Sequence, residues 1–142
     1  MWTCQQSVDV DVPVSFAWPY MTDVRNWNDP PAEFTIDGPF TAGTRGATRM
    51  PGRAPVSWTI ESVDPGRAYT IRTSLSDRVL LHFHWQFEAV SDHATRLTQR
   101  VELCGEDAAD HINDVRAAFE SNLEAGMQRI ARMMLEAARS GR

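Results

Sequence analysis

The chain contains no lysine: all 14 of its basic residues are arginine. Schiff-base chemistry, a phosphate-binding loop built on lysine and a lysine general base are thereby excluded. The bias fits the codon usage of a GC-rich genome, in which Arg takes the surface positions of Lys, and carries no function. Cysteine is scarce too. Cys4 and Cys104 are the two present, without CxxC spacing, so neither a zinc motif nor a redox motif is indicated. Free thiols in a reducing compartment are expected, with a bridge between the first and last strands as the alternative. No apolar run approaches the ~18 residues of a spanning helix, and the N-terminus lacks a basic segment followed by an apolar one, so no membrane span and a cytoplasmic location are expected. Basic runs are missing as well, and the net charge is -5, so nucleic acid and anionic lipid are not expected partners.

What is present is the composition of one ordinary globular domain spanning residues 1–142, with 42% apolar and 23% charged residues. Residues Trp2 to Val10 alternate, placing Val8 and Val10 on one side and Asp9 on the other, as in a half-buried strand. Pro13 suits the first turn of a helix carrying Phe16, Tyr20 and Met21, which Pro19 should kink or shorten. Asp23 to Asn28 predicts one further helical turn, closed by Asp29-Pro30-Pro31. Short strands follow at about 33–37, 44–50, 55–64, 68–74, 78–90 and 94–104. The separators between them, such as Pro51-Gly52-Arg53 and Asp64-Pro65-Gly66-Arg67, are short enough to demand an antiparallel meander. From Glu106 onward the apolar period becomes helical, through Ile112, Val115, Phe119, Leu123, Met127, Ile130 and Met134. Acidic residues open this segment and Arg132, Arg139 and Arg142 close it, as the helix dipole favours. One long amphipathic C-terminal helix is predicted.

An antiparallel sheet this wide must bury one face, and the terminal helix is the element long enough to cover it. The predicted class is α+β: a curved seven-stranded antiparallel sheet around a long C-terminal helix, with two short helices after the first strand. This order resembles the helix-grip proteins of the START, Bet v 1 and polyketide cyclase or dehydrase group, the SRPBCC superfamily. The resemblance is carried by Val12-Pro13 leading into Phe16, Asp23 and Trp27, Gly38-Pro39-Phe40 with Gly43-Thr44 and Gly46, Trp58-Thr59-Ile60, Val63 to Arg67, Thr95 to Thr98 and the terminal helix. These are turn and packing signatures, which specify a fold better than a reaction. The resemblance implies an apolar cavity between sheet and helix that holds a hydrophobic small molecule.

On the sixth strand of the meander, counting the first strand of the chain as strand one, Phe83 and Trp85 share a face with Val79, Leu81 and Phe87. His82 and His84 share the other with Gln86 and Glu88. The expected ligand-contacting set is Thr48, Met50, Trp58, Tyr69, Phe83, Trp85 and Gln99 from the sheet, with Asn122, Gly126 and Ile130 from the helix. Gln99 and Asn122 are the amides expected inside, either satisfying each other or orienting a ligand. Gly126 marks either tight packing or room left for a ligand. An HxH pair on a strand can chelate a metal, but no third ligand is visible, so no metal and no cofactor are expected. The two histidines are instead expected on the solvated convex surface; only a bulge that reversed the strand would make them acid and base candidates. Binding of a lipid-, polyketide- or aromatic-like molecule is the leading reading. The alternatives are a cyclase, aromatase or dehydratase that folds its substrate, and an interaction module resembling the Hsp90 activators. Either a monomer or a homodimer is compatible with the sequence.

Overall fold

The computed structural model describes residues 1–27 and 29–141; Asn28 and Arg142, placed above in the short helical turn and at the end of the terminal helix, lie outside the described residues. The elements run β1 (Trp2–Val10), α1 (Val14–Met21), a 3-10 turn (Val24–Asn26), β2 (Glu33–Ile36), β3 (Arg45–Arg49), β4 (Val56–Asp64), β5 (Ala68–Ser76), β6 (Val79–Ser91), β7 (Ala94–Cys104), a second 3-10 turn (Ala108–His111), α2 (Ile112–Phe119) and α3 (Leu123–Arg139). All strand pairings are antiparallel, in the order β1-β7-β6-β5-β4-β3-β2. The short separators produce the β2–β7 meander, and β1 closes it by pairing with β7.

Register decides which side chains enter the grip. Val8 stands opposite Leu97, which stands opposite Phe87. Even residues of β1 and odd residues of β6 and β7 therefore share the concave face. A register shift between Ile60 and Ser62 lets Val63, rather than Ser62, follow Trp58 and Ile60 inward. Pro13 provides the N-cap of α1, and the helix ends two residues beyond Pro19, at Met21. This matches the shortening expected of a residue that cannot donate to the preceding turn. Asp23 caps the 3-10 turn by accepting from the Arg25 amide at 3.0 Å.

The C-terminal segment departs from one continuous helix. It is long only from Leu123, and α2 precedes it as a separate piece. The break falls at Glu120-Ser121-Asn122. Asn122 turns its side chain back to donate from Nδ2 to the Ala118 carbonyl at 3.1 Å, the local competition that makes Asn a poor helix-interior residue. The two pieces then cover different parts of the sheet. Leu123 packs with Val115 of α2 over Val79, Leu81, Val101 and Leu103. Met127, Ala131 and Met134 of α3 pack with Val8, Val10, Trp85 and Phe87. No helix among the described residues is long and apolar enough to cross a membrane.

Candidate functional site

The interior of the grip is two apolar clusters rather than one. The larger is filled by rings brought from several elements: Tyr69 is ringed by Trp18, Phe40, Trp85 and Phe87 at centroid separations of 4.9 to 6.1 Å. Trp58 lies 5.5 Å from Trp27 and occupies the space above Gly46, where any Cβ would stand 2.2 Å from the indole. Burial of the Tyr69 phenol pushes its pKa far above the usual tyrosine range. The smaller cluster contains Val79, Leu81, Val101 and Leu103, and Phe83 packs against both.

Between them runs a polar seam. Gln6 on β1 stands directly opposite Gln99 on β7, and Gln99 stands opposite Trp85 on β6. Both glutamines point into the grip by register, and both are only half-buried. Among the described residues neither side chain makes a hydrogen bond within the protein. Phe83 beside them is half-buried as well. On the helix, Gly126 precedes the buried Met127, and a Cβ built on it meets no atom within 4 Å. The glycine therefore leaves open space; it is not required by tight packing.

The expected ligand-contacting residues separate accordingly. Phe83, Gln99, Gly126 and Ile130 are half-buried, with Trp85 buried next to Gln99. Trp58 and Tyr69 are core: they pack on other rings and present no open wall. Thr48, on β3, is four strands from Gln99, and Met50 lies just past the end of β3. Asn122 is exposed and spends its amide on the break between α2 and α3, so the expectation that it faces inward is corrected. The amide that does accompany Gln99 is Gln6, which sequence reasoning passed over. The signal was there: Gln6 is in phase with Val8 and Val10.

A groove lies elsewhere, between α1, the turn after it and the end of α3. It has a volume of about 840 Å³ and is lined by Phe16, Tyr20, Trp27, Met133 and Ala137 with the ion pair Asp23–Arg25 beside it. None of the expected ligand-contacting residues lines it.

His82 and His84 stay on the convex face, with no reversal of the strand. That face is less solvated than expected: His82 is 8% exposed. The imidazoles are stacked 5.6 Å apart, with Glu102 of β7 between them and the half-buried Cys104 two residues further on. Burial would raise the Glu102 carboxyl, but the hydrogen bond from His84 and the charge of Arg100 more than offset it and hold the group below its ordinary value. Cys4 lies on the concave face and Cys104 on the convex face, so the two thiols are free and cannot bridge. Burial pushes both thiols up, with Glu120 adding to this at Cys4 and Glu102 and Glu61 at Cys104.

Solved structures share this architecture. Norcoclaurine synthase from Thalictrum flavum, described in complex with dopamine and hydroxybenzaldehyde, superposes with a TM-score of 0.72 at 14% identity, covering 95% of this chain and 87% of that one. Ara h 8.0201 gives 0.66 at 18% identity over 98% of each chain. The di-domain ARO/CYC protein BexL from the BE-7585A biosynthetic pathway gives 0.71 at 17% identity, covering 93% of this chain and 46% of the longer one. At such identities these likenesses establish the shared Bet v 1-like helix-grip fold and nothing finer. No curated protein matches the sequence. The family described as polyketide cyclase / dehydrase and lipid transport matches residues 1–134, and the chain belongs to that family, within the SRPBCC superfamily.

Proposed function

We propose that the protein binds a hydrophobic small molecule in the grip, over the Gln6–Gln99 seam and beneath Gly126. Family membership supports a ligand-binding or cyclase-type role. Two observations favour this location: the open space at Gly126 on α3, and the two half-buried amides that register directs into the grip without protein partners among the described residues. Apolar surface from Phe83 and Ile130 supplies affinity, and the amides supply directional bonds to a ligand carbonyl or hydroxyl. Neither amide can act as an acid or base at neutral pH. The nearby Cys4 thiol, held up by burial, is a poor nucleophile. Both histidines of the HxH pair lie on the opposite face of the sheet. These three points favour binding, or catalysis by holding a reactive conformer, over proton transfer by side chains.

Tryptophan fluorescence tests the proposal, because Trp85 adjoins Gln99. Titration with aromatic polyketides, flavonoids and fatty acids should quench or shift the emission of wild type, and replacing Trp85 with Phe should remove most of that response. Gly126→Leu should fill the space and abolish binding while the protein still melts cooperatively. Wild type that binds nothing in the panel, or a folded Gly126→Leu that binds equally well, overturns the proposal.

A further inference from the structure

The convex cluster is unused by this ligand-binding reading, and its geometry is that of a chelate. The HxH strand lacks a third ligand within itself, but β7 provides two more donors. Glu102 stands directly opposite His82, and Cys104 stands opposite Leu80, one pair further along on the same face. His82 Nδ1 lies 3.6 Å from Cys104 Sγ and 3.7 Å from Glu102 Oε1. One donor atom from each of the three residues falls within 4.8 Å of the others. Donors about 2.0 to 2.3 Å from a tetrahedral zinc ion stand roughly 3.3 to 3.7 Å from one another. The 3.7 Å Nδ1–Oε1 separation is long for a hydrogen bond, and both it and the 3.6 Å sulfur contact match the spacing of two ligands on one tetrahedral ion.

The surrounding groups hold the donors in place. Glu61 Oε2 lies 3.2 Å from His82 Nε2, which favours the proton on that nitrogen and leaves the Nδ1 lone pair facing Glu102 and Cys104. A carboxylate behind a metal-binding imidazole is the usual outer support of such sites. His84 Nε2 contacts Glu102 Oε1 at 3.3 Å, while Thr70 Oγ1 fixes the other side of that ring at 2.9 Å. Arg100 binds the second Glu102 oxygen at 3.1 Å, so Oε1, shared with His84, is the oxygen turned toward His82. Arg72, 3.7 Å from Glu61, limits the local negative charge.

We propose that the convex face carries a divalent transition-metal site, with His82 Nδ1, a Glu102 carboxylate oxygen and Cys104 Sγ as ligands and a fourth position open beside His84. The mixed nitrogen, oxygen and thiolate set suits Zn²⁺ better than Mg²⁺ or Ca²⁺, which take oxygen. Binding replaces the Cys104 thiol proton with the ion, and that proton passes to solvent.

Co²⁺ and Zn²⁺ added to full-length protein without an affinity tag test the proposal. One equivalent of Co²⁺ should produce a thiolate-to-cobalt charge-transfer band in the near ultraviolet, and Zn²⁺ should displace it. Cys104→Ser should abolish the band and weaken Zn²⁺ binding by more than the roughly 10- to 100-fold lost with an outer hydrogen-bond partner. Cys4→Ser, on the other face, should change neither. His82→Gln should weaken binding similarly; because His82 is buried, Glu102→Gln at a half-buried position gives the same test if that variant does not fold. Absence of stoichiometric binding, a band that survives Cys104→Ser, or a band lost in Cys4→Ser overturns the proposal.

Discussion

Two glycines with opposite surroundings should respond to the same substitution with opposite signs. At Gly46 on β3, an alanine Cβ would stand 2.2 Å from Cη2 and Cζ2 of Trp58 and 2.6 Å from Cε2, so the indole must move. It has little freedom to do so, being 6% exposed and packed against Trp27. Overpacking of this kind costs about 1 to 3 kcal/mol, against a gain of roughly 0.5 to 1 kcal/mol from replacing glycine within a strand. An approach this close places the cost in the upper part of that range, about 2 to 3 kcal/mol, so Gly46→Ala should lose about 1 to 2.5 kcal/mol. At Gly126 the new methyl group meets nothing, and the gain in helix propensity is up to about 1 kcal/mol. Equilibrium urea unfolding followed by tryptophan emission should show the midpoint falling for Gly46→Ala and rising for Gly126→Ala, with the slope unchanged. In a Trp58→Phe background the smaller ring leaves room, and the Gly46→Ala penalty should largely vanish, which a double-mutant cycle measures. A Gly46→Ala protein as stable as wild type would refute the close approach of Trp58, and a destabilised Gly126→Ala would refute the open space on which the ligand site depends.

The raised pKa of Tyr69 sets an alkaline limit. The folded state holds this proton more tightly than the unfolded chain, so its contribution is complete below an ordinary tyrosine pKa of about 10 and is lost as pH rises above it. Melting temperatures measured from pH 8 to 11 should fall over the upper part of that range, and Tyr69→Phe should flatten the fall above about pH 10; equal slopes would contradict the buried phenol. The two thiols act in the same direction from about pH 8.5 and remain in that variant. Thr95 is fully buried and donates from Oγ1 to the Val12 carbonyl at 2.8 Å, tying the start of β7 to the corner before α1. Thr95→Val keeps the shape but leaves that carbonyl without its partner, and should cost about 1 to 3 kcal/mol in urea unfolding; a neutral result would mean that water replaces the bond.

The elements were legible in the sequence because each rests on a local period or a local breaker. Alternation located β1 and β4 to β7, Pro and Gly clusters cut the meander into antiparallel neighbours, and the change of period at Glu106 marked the helical C-terminus. Family membership and fold follow from the same turn and packing residues. Three features depend on pairing between distant segments, which periodicity does not encode. The break at Asn122 is a competition between side chain and backbone inside an otherwise helical pattern, settled once α2 and α3 pack on different parts of the sheet. The fate of the aromatic residues is a second: Tyr69 and Trp58 read as wall, yet Trp18, Phe40 and Trp27 arrive from α1 and the loops to fill the space before them. The third is cross-strand register, which sets Gln6 against Gln99 on one face and draws Glu102 and Cys104 beside His82 on the other. A strand's sequence reveals which residues share a face, but which strand lies next to it, and at what offset, is fixed only when backbone hydrogen bonds and the buried faces of the whole sheet are satisfied together.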